Sequence, residues 1–243
     1  MQHIILAEFS KFRKNKMVLT GFLSVVCVPI LFLLKSLFID SGRISWQEWT
    51  LSNFTVLFLI LPIMSSILIT YSVEKEYEEK TIINIITAPT KRSYLILSKI
   101  VVWFCWYLIT LLAAELLLIL GAFCLYGSAF DTQAVWLTLS RFTGTGLLSF
   151  AAFLPVIWIA VRQRTLFYPS VLAALVFTAL QAAGSQIAEE LLPFASLVPW
   201  MAVGIMRILT SQNIYFYVCI FSILLFGILG IFLAVRELKH QDL

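Results

Sequence analysis

Charged side chains are concentrated in one passage of this chain, YSVEKEYEEKTIINIITAPTKRSYLILSK, residues 71–99. Ile82, Ile85 and Ile86 stand at i, i+3 and i+4, a spacing that places them on one face of a helix. The glutamates precede them, at the end of a helix where the dipole favours negative charge. The pattern therefore predicts a short amphipathic helix, ended or bent by Pro89, whose chemistry is recognition rather than catalysis.

Such a helix can lie on lipid or insert into the groove of a partner protein. Its acidic residues disfavour lipid alone, because the cytoplasmic leaflet of a membrane is itself negative. A solvated loop whose charges only fix the membrane topology is the simpler alternative.

Two further charged residues, Glu115 and Arg141, fall inside long apolar runs. Glu115 is about 24 Å along a helix from Lys99, and Arg141 on the next helix has a similar depth. An ionised acid at this depth costs on the order of 2.5 to 3.5 kcal/mol, so it requires a partner or a polar cavity. Three interpretations of Glu115 stay open: an ion pair with Arg141, a polar contact on a substrate path, or a protonated acid with no role.

An acidic pair, Glu189 and Glu190, stands in the passage IAEELLPFASLVPW between apolar segments. On the outer side of a membrane this pair could form part of a gate that attracts a cationic substrate. A solvated loop explains the same residues equally well.

Catalytic patterns are missing from the sequence. The histidines are His3 and His240, one at each end of the chain, so they support neither a buried Ser/His arrangement nor a metal site. No G-x-x-x-x-G-K-[ST] loop occurs, so the chain is not expected to hydrolyse ATP by itself. We predict no catalytic residues, no metal and no cofactor bound by this chain.

The composition requires a membrane. Hydrophobic residues make up 61% of the 243 residues and charged residues only 12%, and the mean hydropathy is +0.97. These values lie far outside the range of soluble domains. The net charge of +4 follows from basic residues beside apolar spans, so it does not indicate nucleic acid.

Six apolar runs approach the roughly 20 residues that a helix needs to cross a bilayer. We predict an all-α membrane protein, with one transmembrane domain over residues 1–243. Residues 191–209 are broken by prolines and carry Arg207, so this passage is predicted to be re-entrant or interfacial. The predicted elements are an amphipathic elbow helix 1–16, spans 17–39, 54–73, 100–126, 134–161, 166–183 and 214–235, and a loop 74–99 between the second and third spans.

Orientation follows from the basic residues. Thirteen of the 17 Lys and Arg residues fall on one side of this six-span arrangement, the side with both termini and the loop 74–99. The positive-inside rule therefore predicts that both termini are cytoplasmic.

The pattern EKEYEEKT, followed by apolar residues, APTKR and Lys99, resembles the segment before the third span in ABC-2 type permeases. The opening AEFSKFRKNKM is similar to the elbow of the same family, and the spacing of the acidic passage is closest to the branch that handles bacitracin and lantibiotics. The resemblance implies a coupling helix that contacts an ATPase subunit. Its residues would be Glu74, Glu76, Thr81, Ile82, Ile85, Ile86, Pro89 and Arg92.

The resemblance further implies an exporter in the bacterial cytoplasmic membrane that confers resistance or immunity to a peptide antibiotic. Its expected partners are two copies of an ABC ATPase, which would bind ATP and Mg, a second permease copy in a homodimer or related heterodimer, membrane lipid and the peptide. Two alternatives remain: a membrane scaffold or sensor that transports nothing, and an ABC-2 exporter of another lipid-like or drug substrate.

Overall fold

The computed structural model describes residues 2–40, 45–78, 92–127, 132–164, 166–209 and 212–240. Within these ranges the chain is helical, and a π-helical turn, Ser36–Asp40, extends the second helix. A short 3₁₀ turn, Glu189–Leu191, precedes the eighth. The α-helices are α1 (Gln2–Arg13), α2 (Lys16–Lys35), α3 (Trp46–Glu78), α4 (Arg92–Tyr126), α5 (Thr132–Phe153), α6 (Pro155–Gln163), α7 (Tyr168–Gly184), α8 (Leu192–Ala195), α9 (Pro199–Met206) and α10 (Ile214–His240).

Among the described residues, five helical stretches are long and apolar enough to cross a membrane: Lys16–Phe38, Trp46–Glu78, Ser93–Tyr126, Val135–Gln163 and Ile214–His240. They correspond to five of the six predicted spans. The fifth predicted span, residues 166–183, corresponds to α7, a shorter apolar helix. The all-α membrane class is therefore confirmed.

Local capping explains where α3 begins. The Ser45 hydroxyl accepts a hydrogen bond from the backbone N–H of Glu48, whose carboxylate accepts one from the N–H of Ser45. This reciprocal arrangement satisfies two donors at a helix N-terminus. The helix consequently starts at Trp46, well before the predicted start of the span at Phe54.

Proline removes a helical hydrogen-bond donor in several spans, and at two of these prolines, Pro62 and Pro155, side chains from other helices bind carbonyls nearby. Pro62 lies inside α3 and has no N–H to donate to the carbonyl of Phe58, four residues earlier. The Gln181 side-chain amide donates to that carbonyl at 3.2 Å. Near the break between α5 and α6 at Pro155, the indole of Trp200 donates to the carbonyl of Ala152 at 2.9 Å. These bonds join α3 to α7 and α5 to α9.

The passage that was predicted to be broken consists of the short helices α8 and α9, which begin near Pro193 and Pro199. Helix α9 packs inside the bundle, because Ala202 and Val203 are fully buried. A Cβ atom on Gly204 would collide with the carbonyl of Gln181, so the backbones of α7 and α9 are in direct contact. Part of the predicted passage is therefore packed inside the bundle.

Helix α1 and the last turns of α10, which hold the described ends of the chain, lie at one end of the bundle, where Lys11 of α1 contacts Glu76 in the last turn of α3. Helix α10 runs in the same direction as α5 and α6, since Gly227 lies beside Ala151 and Gly230 beside Pro155. The Tyr77 hydroxyl donates to the carbonyl of Val161 at 3.5 Å, which joins the last turns of α3 and α6. We call this the termini end of the bundle and the opposite end the distal end.

Candidate functional site

A buried cluster of four charged side chains lies at the termini end. It comprises Glu8 and Lys11 of α1, Glu76 of α3 and Lys99 of α4, and we call it the ion cluster. The Lys99 amine lies 3.1 Å from Glu8 Oε2 and 2.9 Å from Glu76 Oε1. The Lys11 amine lies 3.1 Å from an oxygen of each glutamate. Each lysine therefore bridges both glutamates.

Three members of the ion cluster are taken almost completely out of solvent. Glu8 is 7% exposed, Lys99 8% and Glu76 9%, whereas half of the Lys11 side chain remains accessible. The Lys99 amine also donates to the Ser72 hydroxyl at 3.5 Å. Charges at such depth are tolerated only when they are paired, and this arrangement pairs two of each sign.

The pairing changes the acidity of two cluster members. Burial by itself would raise the pKa of Glu8, but the charges of Lys99 and Lys11 outweigh it and the pKa is lowered. Burial would lower the pKa of Lys11, but Glu76 and Glu8 hold it above the usual value. Both groups therefore favour their charged forms in the folded protein.

The ion cluster fixes the helix ends that flank the predicted coupling segment. Glu76 lies in the last turn of α3, and Lys99 lies two turns into α4. Residues 79–91, between these helices, lie outside the described residues, and the predicted coupling residues Thr81, Ile82, Ile85, Ile86 and Pro89 are among them.

The other predicted coupling residues occupy different environments. Glu74 is half-buried on α3 and Arg92 begins α4, so both stand close to the undescribed segment. Glu76 is turned inward, to Lys11 and Lys99. Its contacts therefore bind α1, α3 and α4 of this chain to one another.

Sequence reasoning did not identify the ion cluster. Glu8 and Lys11 were included only in the opening passage that resembles the elbow, and Lys99 only in the motif before the third span; none of them was assigned an ionic partner. Pairs such as Lys99 with Glu8 are separated by 91 residues, so spacing along the chain carries no signal of them. One local indication did exist: Glu8 and Lys11 stand at i, i+3, where helical side chains meet.

Glu115 and Arg141 are not joined as an ion pair within the described part of the chain. Glu115 is buried, and its carboxylate accepts a hydrogen bond from the Thr143 hydroxyl at 2.9 Å. It faces a narrow pocket between α3, α4 and α5. Arg141 is exposed and lines a different, wider cavity. The two residues lie on neighbouring helices but face different spaces.

The wide cavity has a volume of about 900 Å³ and lies at the distal end, among α3, α5, α9 and α10. Arg141 and Arg207 both contribute to its wall, and Phe54 and Phe58 provide aromatic surface. We call it the distal cavity. Glu189 and Glu190, the predicted gate residues, are exposed in the 3₁₀ turn before α8 and do not line it.

Comparison with known proteins gives one family. The family model described as ABC-2 family transporter protein matches residues 4–181, well over half of the chain. The matched range contains the whole ion cluster and Arg141, and it ends within α7, before the broken segment. No curated protein matches the chain.

Proposed function

The chain belongs to the ABC-2 transporter family, and from this premise we propose that it is the permease of an exporter that protects a bacterium from a bacitracin- or lantibiotic-like peptide. The family and the apolar helices make it a multi-pass membrane protein and a transporter component. It is not itself catalytic, and ATP is hydrolysed by a separate ABC ATPase subunit. The antibiotic, the number of ATPase copies and the second permease copy belong to the proposal.

The ion cluster is the observation that supports a coupling role for the segment between α3 and α4. The Lys99 amine of α4 lies 2.9 Å from the Glu76 carboxylate in the last turn of α3. Glu8 contacts Lys99 and Lys11 contacts Glu76, so α1 is attached to the same ion pair. A force applied to the segment by an ATPase would therefore move α1, α3 and α4 together. Paired charges in low dielectric resist separation more strongly than exposed pairs do.

The proposed cycle needs two states of the helix bundle. Two ATPase copies, binding ATP and Mg, would close on each other and press on the coupling segments of two permease copies. The helices would then change their angles and release the substrate on the opposite side. Glu74 and Arg92, which flank the undescribed segment, are the described residues that we assign to contact with the ATPase.

Purification of the tagged chain from its native membranes tests the coupling proposal. We expect ATPase activity to copurify with the unmodified chain and to be lost with Glu74→Ala combined with Arg92→Ala. Arg236→Ala is the matched control, since it removes a charge at the same end of the bundle but from α10, which does not flank the segment in the chain. A folded chain without associated ATPase would favour the scaffold or sensor alternative.

Antibiotic protection requires a separate test. Cells that lack the chain are expected to become more sensitive to bacitracin or to a lantibiotic, and the unmodified chain should restore protection. The doubly substituted coupling variant should fail to restore it at equal expression. If ATPase association is intact but sensitivity to both antibiotics is unchanged, the exporter handles another lipid-like or drug substrate.

Glu189 and Glu190 provide a further way to test the substrate. If they attract a cationic peptide at the distal end, changing both to glutamine should weaken protection while leaving ATPase association intact. Unchanged protection at normal expression would show that the acidic pair has no part in substrate capture.

A further inference from the structure

Among its described lining residues the distal cavity has two arginines and no acidic side chain. Arg141 lies on α5 and Arg207 directly follows α9, and both line the cavity. The described lining residues include no Asp or Glu. Arginine within a membrane protein usually faces a partner or a substrate path, because leaving it in lipid costs free energy.

Arg207 is held in place by neutral groups. Its Nη2 donates to the Thr55 hydroxyl at 2.8 Å, and its guanidinium carbon lies 5.0 Å from the centre of the Phe58 ring. These contacts fix the plane of the guanidinium and use a fraction of its five N–H donors. The remaining donors are available to a ligand in the cavity.

Glu115 does not supply the missing negative charge. Its carboxylate is buried in the narrow pocket and accepts the Thr143 hydroxyl hydrogen bond. Phe54 forms part of the wall of both spaces, and it stacks on Phe142 with ring centroids 3.8 Å apart. This aromatic pair belongs to the partition between the acid and the arginines.

The walls of the distal cavity suit a ligand with an apolar body. Phe54, Phe58, Leu148 and Ile220 line it, and hydroxyl groups such as that of Thr55 stand among them. Its volume of about 900 Å³ lies within the range of small-molecule binding sites, roughly 300 to 1,000 Å³. The cavity therefore has room for a headgroup and part of an attached chain.

We propose that the distal cavity binds an amphiphile with a phosphate headgroup, which Arg141 and Arg207 contact while the aromatic and aliphatic walls hold the apolar part. Guanidinium groups bind phosphate oxygens through paired, charge-assisted hydrogen bonds. A cationic peptide by itself would meet two like charges here. A peptide bound to a lipid phosphate, or the lipid alone, would complement them.

This inference rests on the proposed function only in that the cavity would lie on an exporter's path. Ligand binding is measured on the chain without ATPase and without antibiotic, so it can fail or succeed independently of the coupling proposal. A purely structural explanation is that the arginines reach toward water at the distal end and bind nothing.

The test is equilibrium binding to the purified full-length chain in a neutral detergent. The probe is a fluorescent short-chain phosphatidic acid, compared with a fluorescent diacylglycerol of the same chains and followed by anisotropy. We expect phosphatidic acid to bind at least about tenfold more tightly than diacylglycerol, since charge-assisted hydrogen bonds contribute this much. Inorganic phosphate is added as a competitor to separate headgroup from lipid recognition.

Substitutions locate the binding. Arg141→Gln combined with Arg207→Gln should weaken binding of phosphatidic acid by about tenfold or more and leave diacylglycerol unchanged. Arg162→Gln is the matched control, because that guanidinium also lies over an aromatic ring, Trp158 at 5.6 Å, but at the termini end. If the double variant fails to fold, Arg141→Gln is tested alone. The Arg141 side chain is exposed, so this variant should fold, and its binding of phosphatidic acid should still be several-fold weaker.

Three results would overturn the proposal. Equal affinity for the two lipids would mean that no phosphate is recognised. An equal loss in Arg162→Gln would mean that only net charge matters. Displacement of phosphatidic acid by inorganic phosphate at comparable affinity would mean that the cavity holds the free anion rather than an amphiphile.

Discussion

At the scale of single residues, the ion cluster is stabilising only while its charges are complete. Moving an ion out of water costs several kcal/mol, and the mutual attraction of the partners offsets that cost only when every charge is paired. Lys99 is the central member, because its amine contacts Glu8, Glu76 and Ser72 and its side chain is 9% exposed. Its loss should therefore cost more than the loss of any exposed lysine.

We predict that Lys99→Met lowers the free energy of unfolding by about 3 kcal/mol or more, because two glutamates then share the one half-exposed Lys11. The measurement is reversible unfolding in mixed detergent. Lys14→Met, at an exposed position just after α1, is the control for the change in net charge and should cost little. Equal losses in the two variants would show that the cluster contributes nothing specific.

Titration of the cluster gives a second residue-scale prediction. The pKa of Glu8 is lowered from 4.5 by the fold, so its contribution is complete above pH 4.5 and is lost as pH falls through the folded-state pKa. The stability difference between the native chain and Glu8→Gln should accordingly shrink in acid.

The pKa of Lys11 is raised from 10.5, so its contribution is complete below pH 10.5 and is lost as pH rises further. The difference between the native chain and Lys11→Met should shrink in alkali instead. Unfolding free energies of the native chain and the two variants, measured from acid to alkaline pH, check both predictions. Differences that stay constant with pH would contradict the assignment.

Residue types and short spacings made part of this site predictable. The passage 71–99 was recognised from its local alternation of acidic, apolar and basic residues. Glu76 was identified within it, but its inward partners were not, because Lys11 is 65 residues away along the chain. A residue that could face a partner protein or the chain's own interior has the same sequence signature in both cases.

At the scale of elements, the proline in α3 shows how one helix depends on another. Pro62 leaves the Phe58 carbonyl without its helical donor. Gln181 of α7 donates to that carbonyl at 3.2 Å, and the Ser149 hydroxyl donates to the Gln181 side-chain oxygen at 3.1 Å. Three helices, α3, α5 and α7, are joined through this one buried amide.

We predict that Gln181→Leu destabilises the bundle by about 1 to 3 kcal/mol, the usual cost of leaving a buried polar group without a partner. The decisive measurement is a double-mutant cycle with Pro62→Ala. That change restores an N–H four residues after Phe58, so Gln181→Leu should cost less in its presence. Additive effects would show that the amide does not compensate for the proline.

Hydropathy predicted where the spans lie but not where their helices begin. The long apolar runs predicted the location of the spans, because a bilayer imposes a minimum length on them. Helix ends were less predictable: α3 begins at Trp46 because Ser45 and Glu48 cap it, although the residues up to Asn53 are largely polar. The Asn53 side-chain amide donates to the Trp49 carbonyl within the same helix, whereas its Oδ1 is buried without a hydrogen-bond partner among the described residues.

At the scale of the whole molecule, the two ends of the bundle differ in how their charged residues are arranged. Mixed, paired charges gather at the termini end, in the ion cluster. The distal cavity carries Arg141 and Arg207 without a described acid. No sequence pattern predicted this cavity, since α3, which ends at Glu78, shares its wall with α9, which begins at Pro199. The cavity exists only once α9 has packed against α7 and α10.

The orientation of the bundle gives the final prediction. Among the described residues most Lys and Arg lie at the termini end, so the positive-inside rule places that end in the cytoplasm, with Lys35, Arg141 and Arg207 as exceptions. Cysteines introduced singly as Arg236→Cys and Glu189→Cys, after Cys27, Cys105, Cys124 and Cys219 are replaced by alanine, report the two ends. A membrane-impermeant maleimide should label Glu189→Cys in intact cells and Arg236→Cys only after permeabilisation. The reverse pattern would place the distal cavity on the cytoplasmic side and contradict the predicted orientation.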